Sequence, residues 1–417
     1  MPLPRIPFPR RPRIPIYAYL AVMGPGLITA AANNDAGGIT TYSLAGARFG
    51  FSMMWVLLVL TLLLAITQEM GARMGVVTGK GLADLIREEF GLRAVVFALV
   101  TLLTANLFVT AAEFAGLASG FELFGLSKYI TVPLGAALVW FIVSSGSFRR
   151  VERLFMAFVL FYFSYIASGL LADPPWGLVL RSLVVPDFNP DPEFLLLAIA
   201  ITGTTVAPWG QFFIQSYVRD KAVQLSEYKF TRLDVLSGSV FSNTIAFFIV
   251  LATAATLFVA NIDIATAADA ARALRPLAGE QAQVLFGIGL VAASTLAACI
   301  LPLSTAYVVC EAFGWESGVG KGWGEALPFN AIFTGMIALG AGMVLIPNLS
   351  LIRMMVFSET VNGILLPVIL IYTVRLCGNK RLMGEQANSR LYGSVIWLFA
   401  ATIIALTVYL FIRKLVG

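Results

Sequence analysis

Histidine is absent from the 417-residue chain. With it go the usual nitrogen ligand of zinc and iron, the commonest general base, and the one side chain that ordinarily titrates near neutrality. Cysteine is scarce. Cys299, Cys310 and Cys377 share no CxxC spacing, which excludes a disulfide scaffold and reads as three core thiols. Charge is thin as well, at 12% Asp, Glu, Lys and Arg, against about 25% in a typical soluble domain. No HExxH, GxSxG or Cys/His pairing occurs, so the chain is not expected to be an enzyme, and no cofactor is expected.

What is plentiful is apolar surface: 59% of the residues are hydrophobic, more than a soluble core of this size could hide, so the natural solvent is lipid. Eleven apolar runs stand out, at 17–47, 53–73, 93–120, 129–147, 153–172, 193–218, 235–260, 282–311, 328–347, 350–375 and 391–413. The expected protein is an all-α, multi-pass membrane protein, monomeric in the bilayer. The net charge of +5 does not point to nucleic acid, because its distribution follows the loops. With the N-terminus in the cytoplasm, twenty of the 28 Lys and Arg fall on the cytoplasmic side, among them Arg10, Arg11, Arg73, Lys80, Arg149, Arg150, Arg153, Arg219, Arg375 and Arg381. The positive-inside rule therefore predicts a cytoplasmic basic segment at 1–16 and, with an odd span count, a C-terminus outside the inner membrane. The arginines followed by an apolar stretch and Ala30-Ala31-Ala32 superficially resemble a signal peptide, but cleavage there would cut the first span beside its most polar segment.

Two runs are interrupted. The first holds Gly24-Pro25-Gly26 and then Asn33-Asn34-Asp35-Ala36-Gly37-Gly38. An Asp near the middle of a bilayer costs about 2.5–3.5 kcal/mol, so Asp35 should face a cavity or a cation. The glycines permit unwinding, which frees backbone carbonyls. The sixth run holds Gly203-Thr204-Thr205-Val206-Ala207-Pro208-Trp209-Gly210-Gln211. Pro208 cannot donate to the carbonyl of Thr204 four residues back, leaving a second acceptor open at membrane depth. Asp35 and Ala207 are 172 residues and five spans apart. Because five is odd, the second set of spans enters the membrane inverted. Paired broken helices in inverted repeats mark secondary transporters, with the site between the breaks.

These residues resemble a known family. Gly24-Pro25-Gly26 followed by Asp35-Ala36-Gly37-Gly38 is similar to the GPG…DPGN pattern of the Nramp divalent-metal transporters. Ala207-Pro208-Trp209 stands where that family has Met-Pro-His, and Arg73-Met74-Gly75-Val76-Val77-Thr78-Gly79-Lys80 resembles its ARLGIVTGK segment. Ala112-Glu113 falls where its third span has Ala-Glu. The resemblance implies the leucine-transporter (APC-type) fold. It is a 5+5 inverted repeat with broken first and sixth spans, divided here as 17–172 and 193–375, plus an eleventh span at 391–413. It also implies a metal site at Asp35, Gly38 and Ala207, with carbonyls at Ala32 and Thr204. In that set the family's Asn has become Gly38 and its Met has become Ala207. This pattern is similar to the Nramp-related magnesium transporters.

The residues themselves point the same way. A thioether favours transition metals over hard cations, so its replacement by Ala207 removes the soft donor, and Gly38 is expected to add room. Asp35, the amides of Asn33 and Asn34, freed carbonyls and the hydroxyls of Thr204 and Thr205 make an all-oxygen set. Such a set suits a partly hydrated Mg2+ with one carboxylate, and Mn2+ as well. Without histidine, a proton relay would have only Asp35, Glu113 and Glu359, so the expected activity is potential-driven import without proton coupling. A proton-coupled Mn2+/Fe2+ carrier is the alternative. Glu113 either lines the ion path or bonds a neighbouring helix. Glu359 either contributes to the site or is structural. Trp209 is a gate or simple packing, Asn243 an interhelical hydrogen bond, and Gln211 and Gln215 share a face, with Gln211 placed to bind the waters of a hydrated ion.

Overall fold

The computed structural model describes residues 33–145, 161–221, 223–318 and 321–416. Gly24-Pro25-Gly26, Ala32, the N-terminal arginines and Arg149, Arg150 and Arg153 lie outside the described residues. Helices follow the apolar runs in order: α1 (Ala36–Phe49), α2 (Met54–Thr78), α3 (Leu82–Phe90), α4 (Leu92–Glu122) and α5 (Lys128–Ser144). Next come α6 (Phe161–Leu171), α7 (Trp176–Val184), α8 (Pro192–Thr205), α9 (Pro208–Asp220) and α10 (Tyr228–Thr253). The remaining long helices are α11 (Ala282–Phe313), α12 (Leu327–Val344), α13 (Leu351–Gly378) and α14 (Arg390–Val416), with single-turn helices in the loops before α11 and α14. Among the described residues, eight helical stretches are long and apolar enough to cross a membrane, and α5 and α6 are shorter apolar helices. Each of the eleven runs thus carries helix, and the sixth carries two.

The helix ends follow local chemistry. The Asp35 side chain accepts from the Gly38 amide at 2.7 Å and so caps α1. That helix stops at Gly50 and α2 at Gly79, both with positive φ that glycine adopts without strain. In the sixth run, α8 ends at Thr205 and α9 restarts at Pro208, whose ring is tolerated only in a first turn.

The centre of the bundle is built from α4 and α13, with α11, α12, α1 and α8 packed on them. The half-helix α9 touches α2, α3, α4, α11 and α13. Large apolar side chains point outward on the rim, such as Leu134 and Phe141 at 66% exposure and Leu398 at 71%, as expected where lipid replaces water. Helix α14 is the most peripheral of the spans, with only 17% of its apolar window buried. The three cysteines are free and buried, in keeping with core thiols.

One crossing holds the sixth run in place. Helices α8 and α13 meet backbone to backbone: a Cβ on Gly203 would collide with the Glu359 carbonyl and the Gly363 backbone, and one on Gly363 would strike the Ile199 carbonyl. Because backbone cannot rotate away as a side chain can, Gly203→Ala should cost about 1–3 kcal/mol through overpacking. The expected result is a lower melting temperature in detergent by fluorescence-detected size exclusion. Gly335→Ala on α12, where nothing lies within 4 Å of the new methyl group, should leave it unchanged.

Candidate functional site

The two breaks satisfy each other. Thr204 Oγ1 donates to the Asn33 carbonyl at 3.3 Å, and Asn33 Nδ2 donates back to the Thr205 carbonyl at 3.3 Å. The Tyr42 and Thr205 hydroxyls are 2.8 Å apart. Asn34 is tied to other helices: its amide donates to the Ser242 hydroxyl at 3.1 Å, and its carbonyl accepts from the Tyr162 hydroxyl at 2.6 Å. All these residues are buried, with Asn33 at 3% exposure, Thr204 at 2% and Thr205 at 1%.

Three carboxyl groups from three helices converge on the first turn of α1. Asp35, 5% exposed, caps the Gly38 amide. Glu113 Oε2 on α4 accepts from the Ala36 amide at 3.3 Å, within hydrogen-bonding reach of the Asp35 carboxyl. Glu359 on α13 lies over Gly37 so closely that a Cβ there would meet its carboxyl oxygen. Asn362 Nδ2 donates to the Gly203 carbonyl at 2.9 Å and to Glu359 Oε2 at 3.4 Å, joining this acid to the second break. The positive end of the α1 dipole and its open amides are what attract negative groups here. One oxygen each of Glu113 and Glu359 is buried with no hydrogen-bond partner.

The donors that surround the breaks are oxygens. The position that a Gly38 Cβ would take lies 2.7 Å from Thr204 Oγ1, 2.9 Å from the Asn33 carbonyl oxygen and 3.2 Å from Asp35 Oδ1. A hydroxyl, a carbonyl and a carboxylate from both breaks thus surround one point. The extra room expected at Gly38 is therefore not a void: the first turn of α1 packs tightly on the last turn of α8, and glycine is what lets those oxygens approach. Ala207, 5% exposed, is the bare N-cap of α9, and Pro208 denies the Thr204 carbonyl its regular donor. No group of three or more Cys, Asp or Glu is arranged as a metal cage among the described residues, so a cation there would depend on backbone and hydroxyl oxygens beside the Asp35 carboxylate. A sulfur does approach α1, but farther along it: Thr40 Oγ1 donates to Met355 Sδ at 3.4 Å.

Of the other residues singled out, Trp209 is 2% exposed and packs edge-on against Phe213 at 5.7 Å. Gln211 is 1% exposed, and neither atom of its amide finds a partner. Asn243 Nδ2 bonds the Ser239 carbonyl of its own helix at 3.2 Å rather than a neighbouring one, because the i−4 carbonyl is within reach of its short side chain. Sequence reasoning missed Tyr42, Tyr162, Ser242 and Asn362. Asn362 carried a faint signal, being one turn from Glu359, and Tyr42 lies two turns from Asp35. Nothing in the sequence sets Tyr162 apart from its aromatic neighbours.

The two ends of the bundle differ. At the end holding Phe49 and Pro192, a cavity of about 820 Å³ lies between α1, α8 and α13, lined in part by Leu44, Arg48, Glu193, Asp263 and Thr360. Arg48 there pairs with Glu193 and, at 2.9 Å, with Asp263, whose carboxyl it holds below the ordinary range. At the opposite end, Arg219 lies 2.8 Å from Glu311, and Arg73 pairs with Glu69 at 3.0 Å while donating to Asn388 at 2.6 Å.

Comparison with known proteins identifies this arrangement. The model of the family described as natural resistance-associated macrophage protein-like matches residues 26–413. The divalent metal cation transporter MntH of Ralstonia nicotianae is 32% identical, over 97% of this chain and 94% of its own length. The MntH of Pectobacterium carotovorum is 27% identical over 95% of each. Among solved structures, a manganese transporter of Eremococcus coleocola superposes with a TM-score of 0.79 at 18% identity, covering 95% of this chain and 87% of that one. Mhp1, a nucleobase-cation-symport-1 family transporter in a closed conformation, gives 0.53 at 12% identity over 93% and 90%. These likenesses show a leucine-transporter-type fold, and the family match over nearly the whole sequence places the chain in the natural resistance-associated macrophage protein-like (Nramp) family.

Proposed function

We propose that this protein imports divalent metal cations by alternating access, carrying Mg2+ as a partly hydrated ion and Mn2+ as well. The curated relatives bear the name of divalent metal cation transporters, which supports the ion class. The observation that carries the reading is the meeting of Asp35 Oδ1, the Asn33 carbonyl and Thr204 Oγ1 from both breaks around Gly38. The site proposed is Asp35 and Gly38 from the first break with Thr204 and Ala207 from the second, and the Ala32 carbonyl completes it. Asn33, Asn34 and Thr205 hold the two breaks together, Glu113 and Glu359 border the site, and Trp209 follows it on α9.

Oxygen donors without sulfur at position 207 favour hard cations. Import needs no second ion: entry of a divalent cation into an inside-negative cell gains about 4.6 kcal/mol per 100 mV. The proposed orientation puts the basic N-terminus and the Arg219–Glu311 end in the cytoplasm, and the 820 Å³ cavity and the C-terminus outside. Repeats at 17–172 and 193–375, with an eleventh span at 391–413, in a monomer of the inner membrane, complete this reading.

One observation favours a second reading, a proton-coupled carrier of Mn2+ or Fe2+. The carboxyl groups of Asp35, Glu113 and Glu359 gather at the first turn of α1, where entry of a cation would displace protons that they carry. A competition flux assay in liposomes with Mg2+, Mn2+, Ca2+ and Cd2+ and an internal pH probe separates the two. Mg2+ influx should leave the lumen pH unchanged; acidification that tracks metal entry and vanishes in Asp35→Asn would establish coupling.

Asp35→Asn should lower uptake of both Mg2+ and Mn2+ at least a hundredfold, about the loss of one charge-assisted contact. Ala207→Met should raise Cd2+ uptake relative to Mg2+ by roughly tenfold by restoring a soft donor; an unchanged ratio would remove position 207 from the site.

A further inference from the structure

Gln211 is a buried amide whose oxygen and nitrogen both lack a partner. It lies three residues after Pro208 on α9, a half-helix enclosed by α2, α3, α4, α11 and α13, so the amide faces protein and not lipid. An unsatisfied buried polar group costs about 1–3 kcal/mol, and here two atoms of one side chain bear that cost. Such a group persists where something absent from the protein itself satisfies it. One turn on, Gln215 is fully buried. Its Nε2 donates to the Lys80 carbonyl at 2.9 Å, while its Oε1 has no partner. One turn further, Arg219 meets Glu311, which also accepts from Ser216 Oγ at 3.2 Å. The Glu311 carboxylate fills the space over Gly81, where a Cβ would collide with it.

Residues 211, 215 and 219 repeat every four positions and so share one face of α9, drifting about 40° per step over about 12 Å. This stripe runs from the second break to the ion-paired end of the bundle. Amides both donate and accept, which suits the oxygens and hydrogens of coordinated water better than a bare metal.

We infer that Gln211 and Gln215 form a second, inner subsite for a divalent cation that still carries water, and that the Arg219–Glu311 pair is its closed end. The inference rests on the transport reading above: the ion leaves the breaks, is held through its water shell by the two amides, and passes out when the ion pair parts. Mg2+ gives up its waters reluctantly, so its passage depends on these amides more than that of Mn2+.

The test uses the full-length protein in liposomes, with Mg2+ and Mn2+ as separate probes. Gln211→Leu should reduce maximal Mg2+ uptake about tenfold, the worth of one lost contact on the slow step, with KM unchanged and Mn2+ uptake little affected. Its melting temperature should match or exceed that of the native protein, because the unsatisfied amide is gone. Gln211→Met, similar in length but without donor or acceptor, should behave alike, and Gln211→Asn should recover part of the Mg2+ flux. Equal loss for both ions, undiminished Mg2+ uptake, or a lowered melting temperature in both apolar variants would overturn the subsite. Native protein that carries neither ion would overturn the transport reading itself, whatever the variants do.

Discussion

A helix that comes apart inside a membrane must find partners for the carbonyls and amides it releases, and most of this structure follows from that requirement. Lipid offers no hydrogen bonds, so every exposed backbone group carries a cost of several kcal/mol. The first break meets it with the Asp35 side chain, Glu113 and Tyr162; the second with Asn33 and Asn362. Because several of these partners come from the opposite break or from the helices beside it, neither break could persist alone. Pro208 deprives the Thr204 carbonyl of its regular donor, and the Thr204 hydroxyl lies where the two breaks meet.

The same economy explains why acids gather where a membrane should exclude them. Three carboxyl groups approach the start of α1 because its amides are open and its dipole is positive there. Each answers a backbone need or fills a glycine's space, and together they line the start of α1 with oxygen. A cation is the natural complement of such a lining. The bare Ala207 and the position of Met355 beside Thr40 leave little soft character at the breaks themselves.

Asymmetry between the two ends adds direction. The end with Arg48, Glu193 and Asp263 borders a cavity, whereas the opposite end carries the buried Arg73–Glu69 pair and the partly exposed Arg219–Glu311 pair. Buried pairs contribute little net stability but are costly to break one-sidedly, which makes them suitable as latches. Gly203 and Gly363 bring α8 and α13 into backbone contact, while Gly37 and Gly38 admit the Glu359 carboxyl and the Thr204 hydroxyl to the first turn of α1, so these helices pack without slack.

Much was legible in the sequence because the membrane acts on composition directly. Long apolar runs become helices, Pro208 forbids one hydrogen bond wherever the chain goes, and Asp35 cannot be idle at mid-bilayer. Those local rules determined the helix order and the two breaks, while the family was legible only through the motifs around them. What they could not determine was which side chain reaches which break. Asn362 bridging Gly203 and Glu359 and Tyr162 reaching Asn34 both depend on the angle and height at which separate helices cross. The filled space at Gly38 belongs to the same class, since a missing side chain creates room only if the neighbouring helix stays away, and here α8 closes in. Periodicity and hydropathy act along one helix at a time; contacts between residues more than a hundred positions apart exist only once the bundle has packed.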